Sequence, residues 1–338
     1  MAMMIIENNE TDPYFNIALD AYLVRHAPPD MHYVMLWRNV PAVIVGRYQN
    51  SYEEVHTRYC EEKGIAVVRR MSGGGAVYQD LGNLNFSLFV ATEGRPFNDF
   101  KSFTLPVIET LRQMGIAAEL TGRNDITVDG QKISGNAQYR TTRRLLHHGT
   151  ILYDVALDEV ARALNVRQDK IESKGIKSVR SRVTNIRPFL PGEVTFEDFR
   201  ATLARTITEH NGGYAGTYTL TNDDVAAVND LVATQFGTRQ WNYGNSPPFN
   251  LKASGRFAGG GLEIRLFVRS DVIEECTIYG DFLGQRDIHE LEQGLQGLPY
   301  DTKPVQAALE REPLQEYFGA ISSHDVLQLM FDMTPVGG

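Results

Sequence analysis

Cysteine is nearly absent: Cys60 and Cys276 are the only two in 338 residues, and they lie far apart. That excludes a disulfide framework and a cysteine-built metal site. No apolar run approaches the ~20 residues that span a bilayer. The first residues, Met1 to Glu7, lack the basic start and long apolar stretch of a signal peptide, so a cytoplasmic protein with no membrane association is expected. Basic excess is also missing. A formal net charge of -9 argues against a general nucleic-acid binder, which needs a basic face to neutralise phosphates. No Gly-x-Ser-x-Gly elbow occurs, and neither cysteine sits beside a glycine loop, so nucleophilic catalysis has no obvious carrier. Internal repeats and low-complexity tracts are absent too. At 42% hydrophobic and 22% charged residues, the composition is that of a globular protein with a real core.

What is abundant is glycine in one place. Arg69-Arg70-Met71-Ser72-Gly73-Gly74-Gly75-Ala76-Val77-Tyr78-Gln79-Asp80 follows an apolar strand, Ile65 to Val68, and precedes a second, Leu84 to Val90. Three consecutive glycines cost conformational entropy, so they imply a close backbone approach. Two cations beside those N–H groups suit an anion, phosphate or carboxylate. A plain glycine-rich hairpin turn is the alternative. Ala76-Val77 stands where a Walker loop needs Lys-Ser/Thr, and Tyr78 where a dinucleotide fingerprint needs glycine.

Along the chain, Asp12-Pro13 opens an amphipathic helix to His26. Tyr33 to Trp37 and Ala42 to Val45 are expected to form a hairpin across Arg38 to Pro41. Ser51-x-x-Glu54 reads as a capping box for a short helix that Gly64 ends. Phe97 to Met114 is a helix. Ile116 to Leu120 and Ile126 to Val128 are strands, and Asp129-Gly130 suits a tight turn. The return strand carries Gln131 to Ser134, and Leu145 to Tyr153 is another strand. Helices are expected at Leu157 to Asn165, Thr195 to His210 and Asn222 to Phe236. Residues 166 to 192 read as a long, cationic loop.

Gly237 to Asn250 separates a large domain, 1–245, from a small one, 251–338. The small domain reads as a three-stranded antiparallel meander followed by helices.

Lys132 sits on a strand between Gly130 and Gly135, which leaves it an open approach to a ligand; a solvated edge guard is the alternative. His147-His148 has no third ligand at metal spacing, and stacking or hydrogen bonding is the expected state.

Assembled in order, these segments resemble the lipoate–protein ligases. The resemblance rests on Arg69 to Tyr78, on Arg123-Asn124-Asp125-Ile126 with Lys132 to Ala137, and on His147-His148-Gly149-Thr150. It rests also on Lys174-Gly175-Ile176-x-Ser178-Val179-Arg180-Ser181-Arg182-Val183-Thr184-Asn185, with Trp37-Arg38 and Gly46-Arg47-x-Gln49-Asn50 at the N-terminal side. It covers essentially the whole chain.

The family implies an α+β fold: a large domain with a mixed, mostly antiparallel sheet and flanking helices, shared with biotin–protein ligases, plus a small C-terminal α+β domain. It implies activation of lipoate by ATP, with Mg²⁺, to lipoyl-AMP. Transfer follows to a lysine on apo lipoyl domains of 2-oxoacid dehydrogenase E2 subunits or on glycine cleavage H protein.

By resemblance Lys132 is catalytic, bridging carboxylate and α-phosphate. Arg70, Gly75, Ala76, Val77, Tyr78, Asp125, Lys174, Ser178 and Arg180 join it in holding ATP or the adenylate. Lipoate is assigned Ile17, Arg70, Ser72, Gly73, Gly74, Gly75, Tyr78, Gln79, Lys132, His148 and Gly149. Asp125 is the candidate Mg²⁺ contact. Family members often have histidine at the position of Gln79. Glutamine keeps hydrogen bonding but cannot titrate, so it is expected to orient loop or ligand. The alternatives are an octanoyl or lipoyl transferase of the same superfamily, which needs a cysteine, and a non-catalytic lipoate- or carrier-binding regulator.

Overall fold

The computed structural model describes residues 2–28, 30–165, 182–244 and 249–335. The chain divides into two compact units. The first holds Met1–Val45, Ser51–Arg70 and Ala76–Asn242; the second holds Gly46–Asn50, Met71–Gly75 and Tyr243–Gly338.

The first unit is built on an eight-stranded mixed sheet. In chain order its strands are β1 (Met3–Glu7), β2 (His32–Trp37), β6 (Asn83–Ala91), β7 (Glu119–Thr121), β8 (Asp125–Val128), β9 (Gln131–Arg140), β10 (Arg144–Leu152) and β11 (Tyr214–Thr219). Their order across the sheet is β11-β1-β2-β6-β10-β9-β8-β7. β1 pairs in parallel with β2 and β11, and the other pairings are antiparallel.

Side chains alternate across a strand, and the two faces of this sheet differ sharply. Leu84, Phe86, Leu88 and Val90 of β6, with Val34 and Leu36 of β2, pack one face into an apolar core against Phe103, Val107 and Leu111 and against Phe199, Leu203 and Ile207. These belong to helices α4 (Phe100–Gln113) and α5 (Phe196–His210). Thr195 opens the second of these with a capping box, closed by Asp198.

The opposite face carries Asn83, Asn85 and Ser87 of β6 and His148 of β10, under helix α1 (Pro13–His26). Asp12 caps α1 with its carboxylate, and Pro13 occupies the first turn, where no N–H is needed.

Three readings of the sequence fail. Ala42–Val45 (β3) does not form a hairpin with β2: it joins a separate sheet of order β4-β3-β5, parallel to β4 (Ala66–Arg69) and antiparallel to β5 (Val77–Gln79). The turn-like segment Arg38 to Pro41 is instead a crossover, because Asn39 is drawn fully inside and Val40 N–H donates to Thr11. The glycine stretch is likewise no hairpin turn, since β4 and β5 flank β3 on opposite edges.

Ser51 also departs from its expected role. It lies within a short helix, α2 (Ser51–Glu54), and its hydroxyl donates to the Asn242 carbonyl while accepting from Arg69. The helix that Gly64 ends is α3 (Thr57–Lys63), with Gly64 left-handed at φ 66.

The second unit contains the expected meander, β12 (Leu251–Phe257), β13 (Gly260–Arg269) and β14 (Val272–Gly280). Four helices accompany it: Ile288–Leu295, Thr302–Arg311, Leu314–Phe318 and Ser323–Phe331. Its core gathers Leu262, Ile264, Leu266, Phe282, Leu291 and Phe318.

Candidate functional site

Lys132 is the focus of the first unit. The hairpin between β8 and β9 turns through Asp129 and Gly130, both with positive φ (50° and 74°). Its register slips between Ile126 and Thr127. The Lys132 ammonium then lies 2.8 Å from the Asp125 carboxylate. It also lies over Gly135, where a Cβ would come within 2.9 Å of Nζ.

The backbone of Lys132 is clasped by residues 182–184. Its N–H donates to the Arg182 carbonyl at 2.7 Å, and its carbonyl accepts from Thr184 at 3.0 Å. The end of the fourth sequence motif therefore borders Lys132, and Asn185 anchors it by bonds to both backbone groups of Val155. Lys174, Ser178 and Arg180 lie outside the described residues.

The two histidines separate onto opposite faces. His147 is fully buried and stacks on Phe103 at 4.8 Å. Its ring nitrogens meet Gln138 Nε2 at 3.1 Å and Asn136 Oδ1 at 3.2 Å. Burial, then the neighbouring His148, pulls its pKa well below the usual histidine range, so it is a neutral core residue. His148 faces α1, where its Nδ1 stands 2.9 Å from the Asp20 carboxylate. Ile17, buried on α1, precedes Asp20 by one turn.

Gly149 follows His147 rather than His148. A Cβ there would collide with the Asn136 amide and the Phe86 ring, so packing on the core face requires glycine.

The adjacent arginines also divide. Arg69 is held structurally: Nε donates to the Trp241 carbonyl and its backbone N–H to Asn242 Oδ1. Arg70 is 7% exposed and donates through Nη1 to the Ile44 carbonyl. Burial, then the Arg69 charge, lowers its pKa to about 10.

On β5, Tyr78 is buried opposite Val43, and burial raises its phenol pKa. Ala76 and Val77 are half-buried. Gln79 joins a buried chain of carboxamides. Asn8 donates to Asn16, Asn16 to Asn39, and Asn39 to Gln79 Oε1 at 2.8 Å. Gln79 and Asn85 exchange bonds at 2.9 and 3.2 Å, and Asn83 donates to Asn85. Nothing local in the sequence marks Asp20, Asn39 or Asn85 as partners of site residues.

In the second unit, the glycines of Met71–Gly75 have distinct reasons. A Cβ on Gly73 would strike the Phe282 carbonyl oxygen. Gly74 has φ 90° and donates its N–H to that same carbonyl at 3.3 Å. Among the described residues, nothing lies within 4 Å of a Cβ placed on Gly75. Ser72 is buried and its carbonyl accepts from Arg47 N–H at 2.9 Å. Among the described residues no group of three or more His, Cys, Asp or Glu could hold a metal ion, and no helix is long and apolar enough to cross a membrane.

An eight-stranded mixed sheet with flanking helices and a small C-terminal unit built on an antiparallel sheet have the fold of the lipoate ligases. Residues 12–208 match the lipoyl protein ligase A/B catalytic domain, and residues 246–330 match the bacterial lipoate protein ligase C-terminus. The chain belongs to the lipoate–protein ligase family. It is 47% identical to the lipoate–protein ligase LplJ of Bacillus subtilis, over 97% of this chain and 100% of that one.

Among solved structures, the bipartite lipoate protein ligase of Thermoplasma acidophilum, described with its E2 lipoyl domain, shares 28% identity at a TM-score of 0.66. The match covers 73% of this chain and 98% of that one. A lipoate–protein ligase A bound with ATP shares 27% identity at a TM-score of 0.65, covering 72% and 99% of the two chains.

Proposed function

We propose that this chain joins lipoate to ATP and then passes the lipoyl group to a protein lysine. In the first step a lipoate carboxylate oxygen attacks the α-phosphorus; the bond to pyrophosphate breaks, leaving lipoyl-AMP. In the second, the neutral ε-amine of an acceptor lysine attacks the acyl carbon, AMP departs, and the amine gives up a proton as the amide forms.

The observation that carries this reading is the placement of Lys132. Carboxylate and triphosphate repel, so a fixed cation must stand where they meet. Asp125 and the glycine at 135 fix the place of the Lys132 ammonium, and transition-state charge requires such preorganisation. Arg70, with the N–H groups of Gly75 to Tyr78, is assigned phosphate and carboxylate. Ile17, Tyr78 and His148 are assigned the dithiolane pocket.

One carboxylate does not make a protein cage for Mg²⁺, but Mg²⁺ commonly binds through one or two carboxylates plus substrate phosphates. Asp125 fits that donor set, and the ion would supply neutralisation of the departing pyrophosphate. Acceptors are apo lipoyl domains of 2-oxoacid dehydrogenase E2 subunits and glycine cleavage H protein, and the T. acidophilum relative with its E2 lipoyl domain supports the first. We place the reaction in the cytoplasm, where ATP and these acceptors meet.

A thioester route is disfavoured because residues 61–275 contain no cysteine and both thiols of the chain are buried. The test is lipoate-dependent exchange of labelled pyrophosphate into ATP with Mg²⁺ present. Exchange is expected; none from folded protein would overturn the assignment.

A further inference from the structure

Arg69 and Arg70 are neighbours in sequence, yet only Arg70 is assigned a ligand. The edge of their strand shows what Arg69 does. β4 lies at the edge of the sheet β4-β3-β5, and an edge strand turns a row of N–H and C=O groups away from its one strand partner. Arg70 N–H points inward and donates to the Val45 carbonyl of β3 at 3.0 Å. The backbone groups of Arg69 point outward and are met by side chains 172 and 173 residues away. Its carbonyl accepts from Trp241 Nε1 at 2.8 Å, and its N–H donates to Asn242 Oδ1 at 2.8 Å. Two side chains thus take the place of a further strand.

A wide turn aims those side chains. Gly237 N–H donates to the Val232 carbonyl at 2.8 Å and closes a π-helix over Val232–Phe236, a rare geometry that is frequent at functional sites. The turn presents the Phe236 carbonyl to Asn242 Nδ2 at 2.7 Å, and the Trp241 ring meets Phe236 edge-on. The Arg69 guanidinium closes the clasp. Its Nε donates to the Trp241 carbonyl at 2.9 Å, and its Nη2 to the Asn242 carbonyl at 3.2 Å and the Ser51 hydroxyl at 2.7 Å. A cation suits the last carbonyls of the short helix Arg239–Tyr243.

The first unit ends or resumes at Val45, Ser51, Arg70, Ala76 and Asn242. All but Ala76 belong to this one bonded cluster.

We propose that Trp241 and Asn242 are positioning residues for Arg70. Adjacent side chains on a strand point to opposite faces, so a clasp on the Arg69 peptide and guanidinium sets the direction in which Arg70 leaves the strand. This rests on the ligase reading given above, in which Arg70 meets phosphate and carboxylate. Trp241 and Asn242 act through it and need touch neither substrate.

The test compares Trp241→Phe, Asn242→Ala, Asn242→Asp, Arg70→Ala and the double variant Asn242→Ala/Arg70→Ala in the full chain. Trp241→Phe keeps an aromatic ring and deletes the Nε1–H donor. In pyrophosphate exchange, KM for ATP should rise roughly 10- to 100-fold in Trp241→Phe and Asn242→Ala, the size of effect that a misplaced group produces, while kcat stays near wild type. A mere loss of folded protein would lower kcat and leave KM alone. Asn242→Asp still accepts from Arg69 N–H and should recover most of the loss. The double variant should be no worse than Arg70→Ala alone. Hydrogen exchange at the Arg70 amide should quicken roughly 10-fold in Trp241→Phe, the effect of losing one hydrogen bond that holds its peptide.

An unchanged KM in folded Trp241→Phe and Asn242→Ala, losses that add to that of Arg70→Ala, or an Asn242→Asp no better than Asn242→Ala would each overturn the proposal. Absence of lipoate-dependent exchange in the wild type would instead overturn the ligase reading. The Arg70 amide then decides the clasp, and an exchange rate unmoved by Trp241→Phe would refute it.

Discussion

The Lys132 ammonium is held by Asp125 at 2.8 Å and rests over the Cα of Gly135. Gly135 has no left-handed φ, so alanine is allowed by its backbone, yet a Cβ would press within 2.9 Å of Nζ and 3.0 Å of Cε. The flexible end of the lysine yields first. Gly135→Ala is therefore expected to keep the fold and displace the cation. Pyrophosphate exchange should fall substantially while the thermal midpoint stays within a few degrees of wild type.

Lys132→Ala removes the cation altogether. A preorganised group at developing charge is worth about 10²–10³ in rate, and a loss of at least that size is expected in adenylate formation. Transfer from supplied lipoyl-AMP should suffer less. Full exchange activity in the variant would show that the cation is elsewhere.

Gln79 holds together a buried chain of amides, accepting from Asn39 and exchanging bonds with Asn85. Gln79→Ala strands polar groups on both neighbours, at about 1–3 kcal/mol for each group left unsatisfied. The urea midpoint should drop accordingly. Gln79→His should fall between, since two ring nitrogens cannot reproduce all three bonds. A midpoint unchanged in Gln79→Ala would show the network to be slack.

Both thiols are inert by environment. Burial, then Glu61, pushes Cys60 up to about 11, and burial, then Glu292, pushes Cys276 far above the ordinary thiol range. Thiolate is the reactive form. Iodoacetamide at pH 8 should label neither cysteine in the native protein and leave activity intact, whereas both should react in urea. Inactivation by native-state labelling would revive a thioester mechanism.

Acid should weaken the fold through buried imidazoles. Burial is the main cause holding His32 near 4, with Arg95 adding to it, and burial keeps His147 well below 6.5. The unfolded chain takes up these protons near pH 6.5 while the folded chain does not. Stability is thus full above 6.5 and declines as pH falls toward 4, by up to about 1.4 kcal/mol per pH unit per histidine. Urea midpoints at pH 7.5, 6 and 5 should fall in that order. A flat profile would mean that the rings are protonated in place.

Local signals found the helices and the meander because Asp12-Pro13, Thr195 with Asp198, and Asp129-Gly130 act on their immediate neighbours. β1 and β11 escaped because each is short and finds its partner across the sheet: Met4 pairs with Gly216. β3 was misjoined because Arg38 to Pro41 looks like a turn, while what decides its path is the parallel pairing with β4 and the inward pull on Asn39. Lys132 was legible from its glycine flanks. Asp20 was not, since a carboxylate on a helix gives no sign of the strand histidine it will meet 128 residues later.

The contacts of Gly73 and Gly74 with Phe282 bear on how the gene can be divided. The segment Met71–Gly75 is encoded with the catalytic sequence but is shaped by a carbonyl more than 200 residues downstream. Cutting the chain near residue 245 would not yield two self-sufficient products. The N-terminal fragment would carry a loop lacking its template, so a split form must reassemble to regain it. Recombination that exchanges C-terminal halves among relatives should succeed only where the incoming half presents its own carbonyl in the place of Phe282.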